Sequence, residues 1–280
     1  MIGSGMVRPL SKLFTVACTV RKFNPRLPTI LPDVMIYKDI DLEDGSSLEM
    51  TISDFVPHVV INAAGVVKQK ITAHDVIRTI EMNAVFPHRL AALGAKRGFR
   101  TILLSTDCVF SGARGNYTEN DVPDATDLYG RSKILGEIET NPSVLTLRVS
   151  SIGLEIGPGK GLIEWFLAQK TEIRGYTNAI YTGFTSLELS RVIELVVEQT
   201  PSLSGLFHIS SEPISKYELL KELRDLLGRN DLKIIPDTDF FCDRSLNSDK
   251  FRQLTSYQPP NWTTMLTGVV EEIKRRGMDT

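Results

Sequence analysis

The chain has 280 residues, of which 42% are hydrophobic and 24% are charged, and its formal net charge is −2 at pH 7. These values are ordinary for a globular protein, and the net charge excludes a strongly basic footprint for nucleic acid. No apolar run in the sequence approaches the roughly 20 residues that cross a bilayer. The three cysteines, Cys18, Cys108 and Cys242, are widely spaced, and no two have metal-ligand spacing. We therefore expect a cytoplasmic protein with reduced thiols, without a bound metal and without a nucleic-acid or membrane partner.

Residues 1–14 predict a helix, and Gly3 takes the place of the third glycine in a G-x-x-G-x-x-G turn that cradles a dinucleotide. The first two glycines and the strand that should precede them are missing from the sequence. Two explanations compete: the true start lies upstream of Met1, or the element has been lost. We favour the first explanation, because a missing central strand would leave a hydrophobic slot in a parallel sheet. Pro9 is tolerable only near the first turn of this helix.

Short apolar runs over residues 15–20, 34–37 and 57–61 predict three strands, with a helix over 46–55 before the last of them. Arg21 follows the first run. In a dinucleotide site an Arg at this position accommodates a 2′-phosphate, which favours NADP over NAD. A solvated basic turn is the alternative.

Small residues follow the third strand, at Ala63, Ala64 and Gly65. Small side chains at a strand end let the backbone approach a cofactor closely. A helical segment is predicted over residues 72–95, and it contains Asn83. We expect a structural or proton-relay role for Asn83, or an ordinary hydrogen bond among the helices.

The richest stretch begins with a predicted buried strand over residues 101–104 and reaches a helix after residue 127. Thr106 follows the strand, while Tyr129 and Lys133 are four residues apart and therefore share one face of a helix. A Lys ammonium beside a phenol lowers the Tyr pKa, and such a Tyr can exchange a proton with a carbonyl or alcohol oxygen. A solvated Tyr–Lys pair on an exposed helix is the alternative.

This stretch resembles the extended short-chain dehydrogenase/reductase superfamily and, within it, the dTDP-4-dehydrorhamnose reductase family. The matching residues are Ser105-Thr-Asp-Cys-Val-Phe110, Gly112, Tyr117, Glu119, Asp121, Pro123 and Tyr129-Gly-Arg-Ser-Lys-Ile-Leu-Gly-Glu137. Cys108 stands where the family often has Tyr. The resemblance implies NADP-dependent reduction of the 4-keto group of a nucleotide-diphospho-6-deoxysugar, in nucleotide-sugar and surface polysaccharide biosynthesis.

The resemblance also implies the fold, an α/β Rossmann-type doubly wound parallel sheet with a smaller C-terminal substrate lobe. The first strand and the first two glycines of the Gly-rich loop are expected to be missing. Residues 1–150 and about 183–209 are predicted to form the NAD(P)-binding domain. Residues from about 151 to 182 and from 210 to 280 are predicted to form the substrate lobe.

The family's functional residues fall on three groups of positions in this sequence. The catalytic group is Thr106, Tyr129 and Lys133. The cofactor group, for NADP with NAD as the alternative, is Gly3, Arg21, Asp41, Leu42, Ala63, Ala64, Gly65, Tyr129 and Lys133. The substrate group is Ser105, Thr106, Asp107, Ser150 and Arg244. Arg244 is a candidate for the diphosphate, with a surface salt bridge as its alternative.

Farther along the chain, residues 144–149 and 205–210 predict strands, and residues 162–169 and 187–197 predict helices. His208 lies inside the later strand, where we expect a hydrogen-bonded core or interface residue and not a base. Ser215 and Glu218 have the spacing of a capping box, which predicts a helix start.

Two other functions are compatible with the same site residues. One is another nucleotide-sugar epimerase or reductase of the superfamily, which product stereochemistry would distinguish. The other is a regulatory subunit that binds a nucleotide without turnover, which the missing glycines favour and the Thr106, Tyr129 and Lys133 set opposes. The expected partner is a nucleotide-sugar substrate, and a homodimer is the oligomer that we consider.

Overall fold

The computed structural model describes residues 2–67, 75–156, 159 and 161–278. The strands are β1 Ala17–Thr19, β2 Met35–Tyr37, β3 Val59–Asn62, β4 Arg100–Ser105, β5 Val144–Arg148, β6 Ser151–Ile152, β7 Glu172–Tyr181, β8 Phe184–Thr185, β9 Gly205–His208, β10 Ile214–Ser215 and β11 Lys233–Asp243. The helices are α1 Ile2–Leu10, α2 Leu27–Ile30, α3 Ser46–Phe55, α4 Val76–Ile80, α5 Phe86–Arg97, α6 Leu128–Leu135, α7 Leu162–Leu167, α8 Ser186–Glu198, α9 Lys216–Leu227, α10 Asp249–Thr255 and α11 Trp262–Arg275.

The main sheet contains four parallel strands in the order β3-β4-β5-β9. All five residues of β5 are buried, and so are five of the six in β4. Continuous apolar strands of this kind are typical of parallel sheets that are covered on both faces. The carboxyl ends of the four strands meet at one edge, where ligands bind in open α/β sheets.

A second, two-stranded parallel sheet consists of β1 and β2. Within the described residues, no strand lies between this pair and β3, so the pair and the main sheet form separate hydrogen-bonded sheets. That a central strand is missing stays a prediction. In α1, Pro9 is the last residue but one, and not in the first turn where we expected it.

The C-terminal part adds a three-stranded sheet in the order β10-β7-β11 and a short pair formed by β6 and β8. The last helix, α11, presents an apolar stripe with the spacing of one helix face, which packs into the core. The buried residues of this stripe are Trp262, Met265, Leu266, Val269, Val270 and Ile273. The predicted division into two domains stays a prediction, although β9 lies in the main sheet while β7, β10 and β11 do not.

Hydrogen-bonding side chains fix the starts of two helices that matter for the site. The Asp127 side chain accepts a hydrogen bond of 2.8 Å from the Gly130 amide at the start of α6. The Ser215 hydroxyl accepts one of 3.0 Å from the Glu218 amide, which confirms the predicted start of α9. Each cap satisfies an amide that the helix itself leaves without a partner.

A row of polar side chains crosses the carboxyl ends of three neighbouring strands. Ser105 pairs in register with Arg148, which pairs in register with His208. The Arg148 guanidinium donates two hydrogen bonds, of 2.8 and 2.7 Å, to the carboxylate of Glu137, which follows α6. The side chains of this ion pair are only 2% and 4% exposed, so Arg148 and Glu137 tie α6 to the sheet from inside the protein.

His208 continues this row. Its Nδ1 lies 3.0 Å from the Tyr117 carbonyl oxygen, and its Nε2 lies 3.1 Å from Nη1 of Arg148. We therefore assign the neutral imidazole with its proton on Nδ1. In this form Nδ1 donates to the Tyr117 carbonyl oxygen and Nε2 accepts from the Arg148 guanidinium. The prediction of a hydrogen-bonded core histidine is confirmed.

Replacing Arg148 by Met should lower the free energy of unfolding by about 3–5 kcal/mol, because the Glu137 carboxylate would stay buried without its partner. The matched control is Lys233→Met, which removes a cation from an ion pair with Glu172 whose side chains are 71% and 57% exposed. We expect that change to cost at most about 1 kcal/mol. Urea unfolding measures both, and equal losses in the two variants would contradict the role given to the buried pair.

Candidate active site

Thr106 stands directly after β4 and begins the short 3₁₀ turn Asp107–Val109. Its hydroxyl accepts a hydrogen bond of 3.1 Å from the Cys108 amide and donates one of 3.1 Å to the Asp107 carboxylate. The side chain is 6% exposed. Thr106 is therefore held rigidly at the sheet edge where ligands bind.

Tyr129 and Lys133 lie on α6, which passes very close to this turn. A Cβ on Gly130 would lie 2.5 Å from the Cys108 carbonyl oxygen, so this approach requires glycine. The Lys133 ammonium donates a hydrogen bond of 2.7 Å to the carbonyl oxygen of Leu104 on β4. The structure thus brings together all three predicted catalytic side chains, from β4 and α6.

The predicted lowering of the Tyr129 pKa is wrong for this structure. Burial raises the pKa of the phenol well above its usual range, and the nearby Cys108 and Asp107 raise it further, while a hydrogen bond with Thr106 opposes the rise. Burial lowers the pKa of Lys133 to about 8, against the attraction of Glu137. Desolvation, which disfavours the charged form of each group, outweighs the effect of their spacing.

Asn83 connects α6 to the loop that follows β3. It lies in a π-helical turn, Glu81–Val85, between α4 and α5. Its side chain accepts a hydrogen bond of 2.9 Å from the Val66 amide, and it donates to the Val66 carbonyl at 3.0 Å and to the Ser132 hydroxyl at 3.1 Å. Because Asn83 uses both its oxygen and its nitrogen in this way, the structure favours a structural role. Residues 72–74 of the predicted helix lie outside the described residues.

The predicted cofactor residues near the start of α1 lie against the end of β3. A Cβ on Gly3 would be 3.4 Å from the Cβ of Ala63, and a Cβ on Gly65 would be 2.9 Å from Oδ1 of Asn83. Ala63 and Gly65 are exposed, and the Ala64 amide donates to the Asn62 side chain at 3.1 Å. Small residues beside a helix N-terminus suit a dinucleotide diphosphate, because the helix end attracts negative charge. The residues present therefore fit a dinucleotide.

Three further predicted cofactor residues lie beyond β1 and β2. Arg21 is exposed and follows β1 at the strand's carboxyl side. Asp41 is exposed, and its carboxylate accepts a hydrogen bond of 3.0 Å from the Glu43 amide. Leu42 packs on the small core cluster around Ile40. Their part in binding a cofactor stays a prediction.

The predicted substrate residues are less uniform. Arg244 donates to the carbonyl oxygens of Phe110 and Ser111 at 2.8 and 3.3 Å, which replaces the alternative of a surface salt bridge. Ser150 uses its carbonyl oxygen to accept a hydrogen bond from the Phe184 amide at 2.9 Å. The Ser105 hydroxyl donates to Glu137 at 2.5 Å and is buried. Ser105 thus has an internal hydrogen bond in this structure, and its contact with the sugar stays a prediction.

Sequence reasoning missed several residues that shape the site. Glu137 was recognised only as part of a motif, although its position four residues after Lys133 could have indicated that both face the sheet. Ser132 donates to the Tyr129 carbonyl oxygen at 2.8 Å and accepts from Asn83, and no local pattern indicates this. Lys216 was also missed. Its side chain reaches the site from α9, far away along the sequence.

A search of the described residues finds no group of three or more His, Cys, Asp or Glu side chains arranged to hold a metal ion. No helix within the described ranges combines the length and the apolar character needed to cross a membrane.

Comparison with known proteins extends these observations. The family model described as the RmlD substrate binding domain matches residues 11–275. Methionine adenosyltransferase 2 subunit beta of Mus musculus is 25% identical over 241 residues, which are 82% of this chain and 69% of that protein. The dTDP-4-dehydrorhamnose reductase of Aggregatibacter actinomycetemcomitans is 24% identical over 256 residues, covering 83% and 87% of the two chains.

Solved structures share the fold. A dTDP-4-dehydrorhamnose reductase from Bacillus anthracis, in complex with NADP, has a TM-score of 0.74 at 21% identity and covers 92% of this chain and 98% of its own. The Bordetella bronchiseptica enzyme WbmG, in complex with NAD and UDP, has a TM-score of 0.79 at 17% identity. The match covers 100% of this chain and 93% of the WbmG chain. These similarities confirm the predicted α/β fold.

The buried His208 should make stability depend on acid. Its pKa is lowered to about 4, first by burial and then by the positive charge of Arg148. Between pH 6.5 and 4 the unfolded chain therefore binds a proton that the folded chain does not, so this contribution to stability is present above pH 6.5 and is lost as the pH falls. The loss is on the order of 3 kcal/mol at most.

Urea unfolding across this pH range should show a smaller acid-dependent loss for His208→Gln than for the native chain. His88→Gln, at an exposed position, is the matched control. Parallel curves for the native chain and His208→Gln would show that His208 does not carry the effect.

Proposed function

This chain belongs to the family of the RmlD substrate binding domain, as its sequence predicted, and we propose that it is an NADP-dependent reductase of nucleotide-diphospho-6-deoxysugars. It reduces the 4-keto group, as the name of the dTDP-4-dehydrorhamnose reductase relatives describes. The proposal rests on one observation, the proximity of Thr106, Tyr129 and Lys133 at the carboxyl end of β4. A cytoplasmic location and a homodimer stay predictions within this proposal.

Tyr129 is the proton donor. The phenol, whose pKa burial raises, is protonated at neutral pH, and it donates its proton as negative charge develops on the keto oxygen. Thr106, beside the phenol, holds the same oxygen once its single hydroxyl proton turns from the Asp107 carboxylate toward the keto oxygen, while the Cys108 amide keeps the hydroxyl oxygen in place. The two hydroxyls thus form a preorganised site for the charge of the transition state.

Lys133 provides positive charge one helical turn from Tyr129 and holds the ribose of the nicotinamide. The bound cofactor supplies the hydride that reduces the keto carbon. Gly3, Ala63, Ala64 and Gly65 accommodate its diphosphate by their small size. Arg21 pairs with the 2′-phosphate of NADP, and Asp41 and Leu42 lie beside the adenine.

The sugar nucleotide lies between the two parts of the chain. Asp107 faces the sugar, while Arg244 contacts the diphosphate from the loop after β11, with Ser150 nearby. The predicted division is part of this proposal, with residues 1–150 and about 183–209 binding the cofactor. Residues from about 151 to 182 and from 210 to 280 bind the substrate.

A second candidate function is that of a nucleotide-binding subunit in a larger enzyme. It is favoured by the relative named methionine adenosyltransferase 2 subunit beta, whose similarity covers 82% of this chain. A subunit of this kind binds the dinucleotide without reducing a sugar. Fluorescence titration with NADPH, followed by an assay of NADPH oxidation with dTDP-4-dehydrorhamnose, separates the two functions, because binding without turnover favours the subunit.

Replacing Tyr129 by Phe should lower kcat by at least about 100-fold, because the proton donor is lost. NADPH binding and the unfolding midpoint should stay close to native. The control is Tyr176→Phe, which removes a hydroxyl from a side chain that is 42% exposed on β7 and should not change kcat. Native turnover by the Tyr129 variant would exclude Tyr129 as the proton donor.

Replacing Arg21 by Ala should weaken NADPH binding by about 10-fold and leave NADH binding unchanged, because only NADPH carries the 2′-phosphate. Arg26→Ala is the matched control, since Arg26 is also exposed and lies in the same loop after β1. Equal losses for both cofactors would mean that Arg21 does not read the 2′-phosphate.

A further inference from the structure

Lys216 is the first residue of α9, directly after the capping Ser215. Its Nζ lies 3.7 Å from the centroid of the Tyr181 ring, close enough for a cation–π interaction. Tyr181 is itself buried and packs on Trp262, with 5.6 Å between ring centroids. A fixed aromatic platform therefore sets the position of the Lys216 ammonium.

The ammonium lies within electrostatic range of the proposed active site. The charged or ionisable groups that act on it are Asp107 first and then Cys108 and Cys242. Asp107 and Cys108 also act on Tyr129. Lys216 and Tyr129 thus approach the same short turn after β4, one from α9 and the other from α6.

Lys216 differs in its hydrogen bonds from Lys133, the other partly buried lysine near the site. Lys133 donates to the Leu104 carbonyl at 2.7 Å. Within the described part of the chain, Lys216 contacts the face of the Tyr181 ring and has no hydrogen-bond acceptor or ion-pair partner. Its three N–H donors are available to a ligand, and such a ligand would offset the cost of enclosing the charge.

We propose that Lys216 is a substrate-binding residue that donates a hydrogen bond to a hydroxyl of the sugar, while Asp107 accepts one from a neighbouring hydroxyl. This assignment rests on the proposed function and adds a residue to its substrate site. A donor beside an acceptor suits a pair of adjacent hydroxyls, each of which can donate and accept. The nearby Asp107 carboxylate disfavours a diphosphate at this position, because like charges repel.

The test uses isothermal titration of the full chain with dTDP-glucose and, separately, with dTDP. The variant is Lys216→Met, which keeps a long side chain against Tyr181 and removes the charge. We expect dTDP-glucose to bind about 10-fold or more weakly, as the loss of a hydrogen bond from a charged donor implies. Binding of dTDP and of NADPH should be unchanged, because neither contains the hexose that Lys216 is proposed to contact.

The matched control is Lys221→Met on the same helix. Lys221 also lies near an aromatic ring, 5.1 Å from the centroid of Tyr217, but it pairs with Glu218 at the surface. Its replacement should not change binding of dTDP-glucose. Lys216→Arg, which keeps the charge, should restore part of the affinity, and NADPH binding by each variant reports whether it has folded.

A further measurement needs no variant. Acetic anhydride should acetylate Lys216 in the native chain, and dTDP-glucose should slow this modification more than dTDP does, as peptide mass spectrometry would show. Equal protection by both ligands, or equal loss of affinity for both in Lys216→Met, would place the contact on the diphosphate and overturn the proposal.

The outcomes also separate this proposal from the proposed function. Native affinity for dTDP-glucose in Lys216→Met, with normal turnover by the native chain, overturns the role of Lys216 alone. Failure of the native chain to bind any of the sugar nucleotides overturns the proposed function together with this proposal.

Discussion

The buried ion pair between Glu137 and Arg148 is the interaction on which the rest of the site depends. Removing two charges from water is costly, and here the cost is offset by two short hydrogen bonds and by further contacts from Ser105 and His208. Because Glu137 follows α6 and Arg148 ends β5, the pair sets the height of α6 above the sheet. The positions of Tyr129 and Lys133 relative to Thr106 follow from it.

Asn83 performs a comparable task on the side of the proposed cofactor site. An ordinary α-helix would carry Asn83 past the Val66 backbone, whereas the π turn places its amide between that loop and Ser132. A Cβ on Gly136 would lie 2.0 Å from the Asn83 carbonyl oxygen, so α6 also needs glycine at its end. The two faces of α6 are therefore fixed by different contacts, one to the sheet and one to the loop after β3.

Local patterns predicted the fold well wherever a single segment determines its own structure. The helix predicted over residues 46–55 has those bounds in the structure, and Ser215 caps α9 as expected. The sequence also placed Thr106, Tyr129 and Lys133 on a strand end and a helix that meet. The sign of the Tyr129 pKa shift was wrong, because it depends on burial by distant segments. The contacts of Asn83 and Lys216 could not be predicted for the same reason.

Lys133 and Lys216 differ in how their charges are satisfied before a ligand binds. Burial lowers the pKa of each to about 8, so each ammonium is less stable here than in water. Lys133 gains a carbonyl partner on β4, whereas Lys216 contacts, among the described residues, the face of an aromatic ring and no hydrogen-bond acceptor. A ligand that brings an oxygen atom to Lys216 gains a hydrogen bond whose geometry is already set. Binding therefore costs little conformational entropy of the Lys216 side chain. The partly unsatisfied charge is therefore a source of affinity, located on the side of the site where the sugar is proposed to bind.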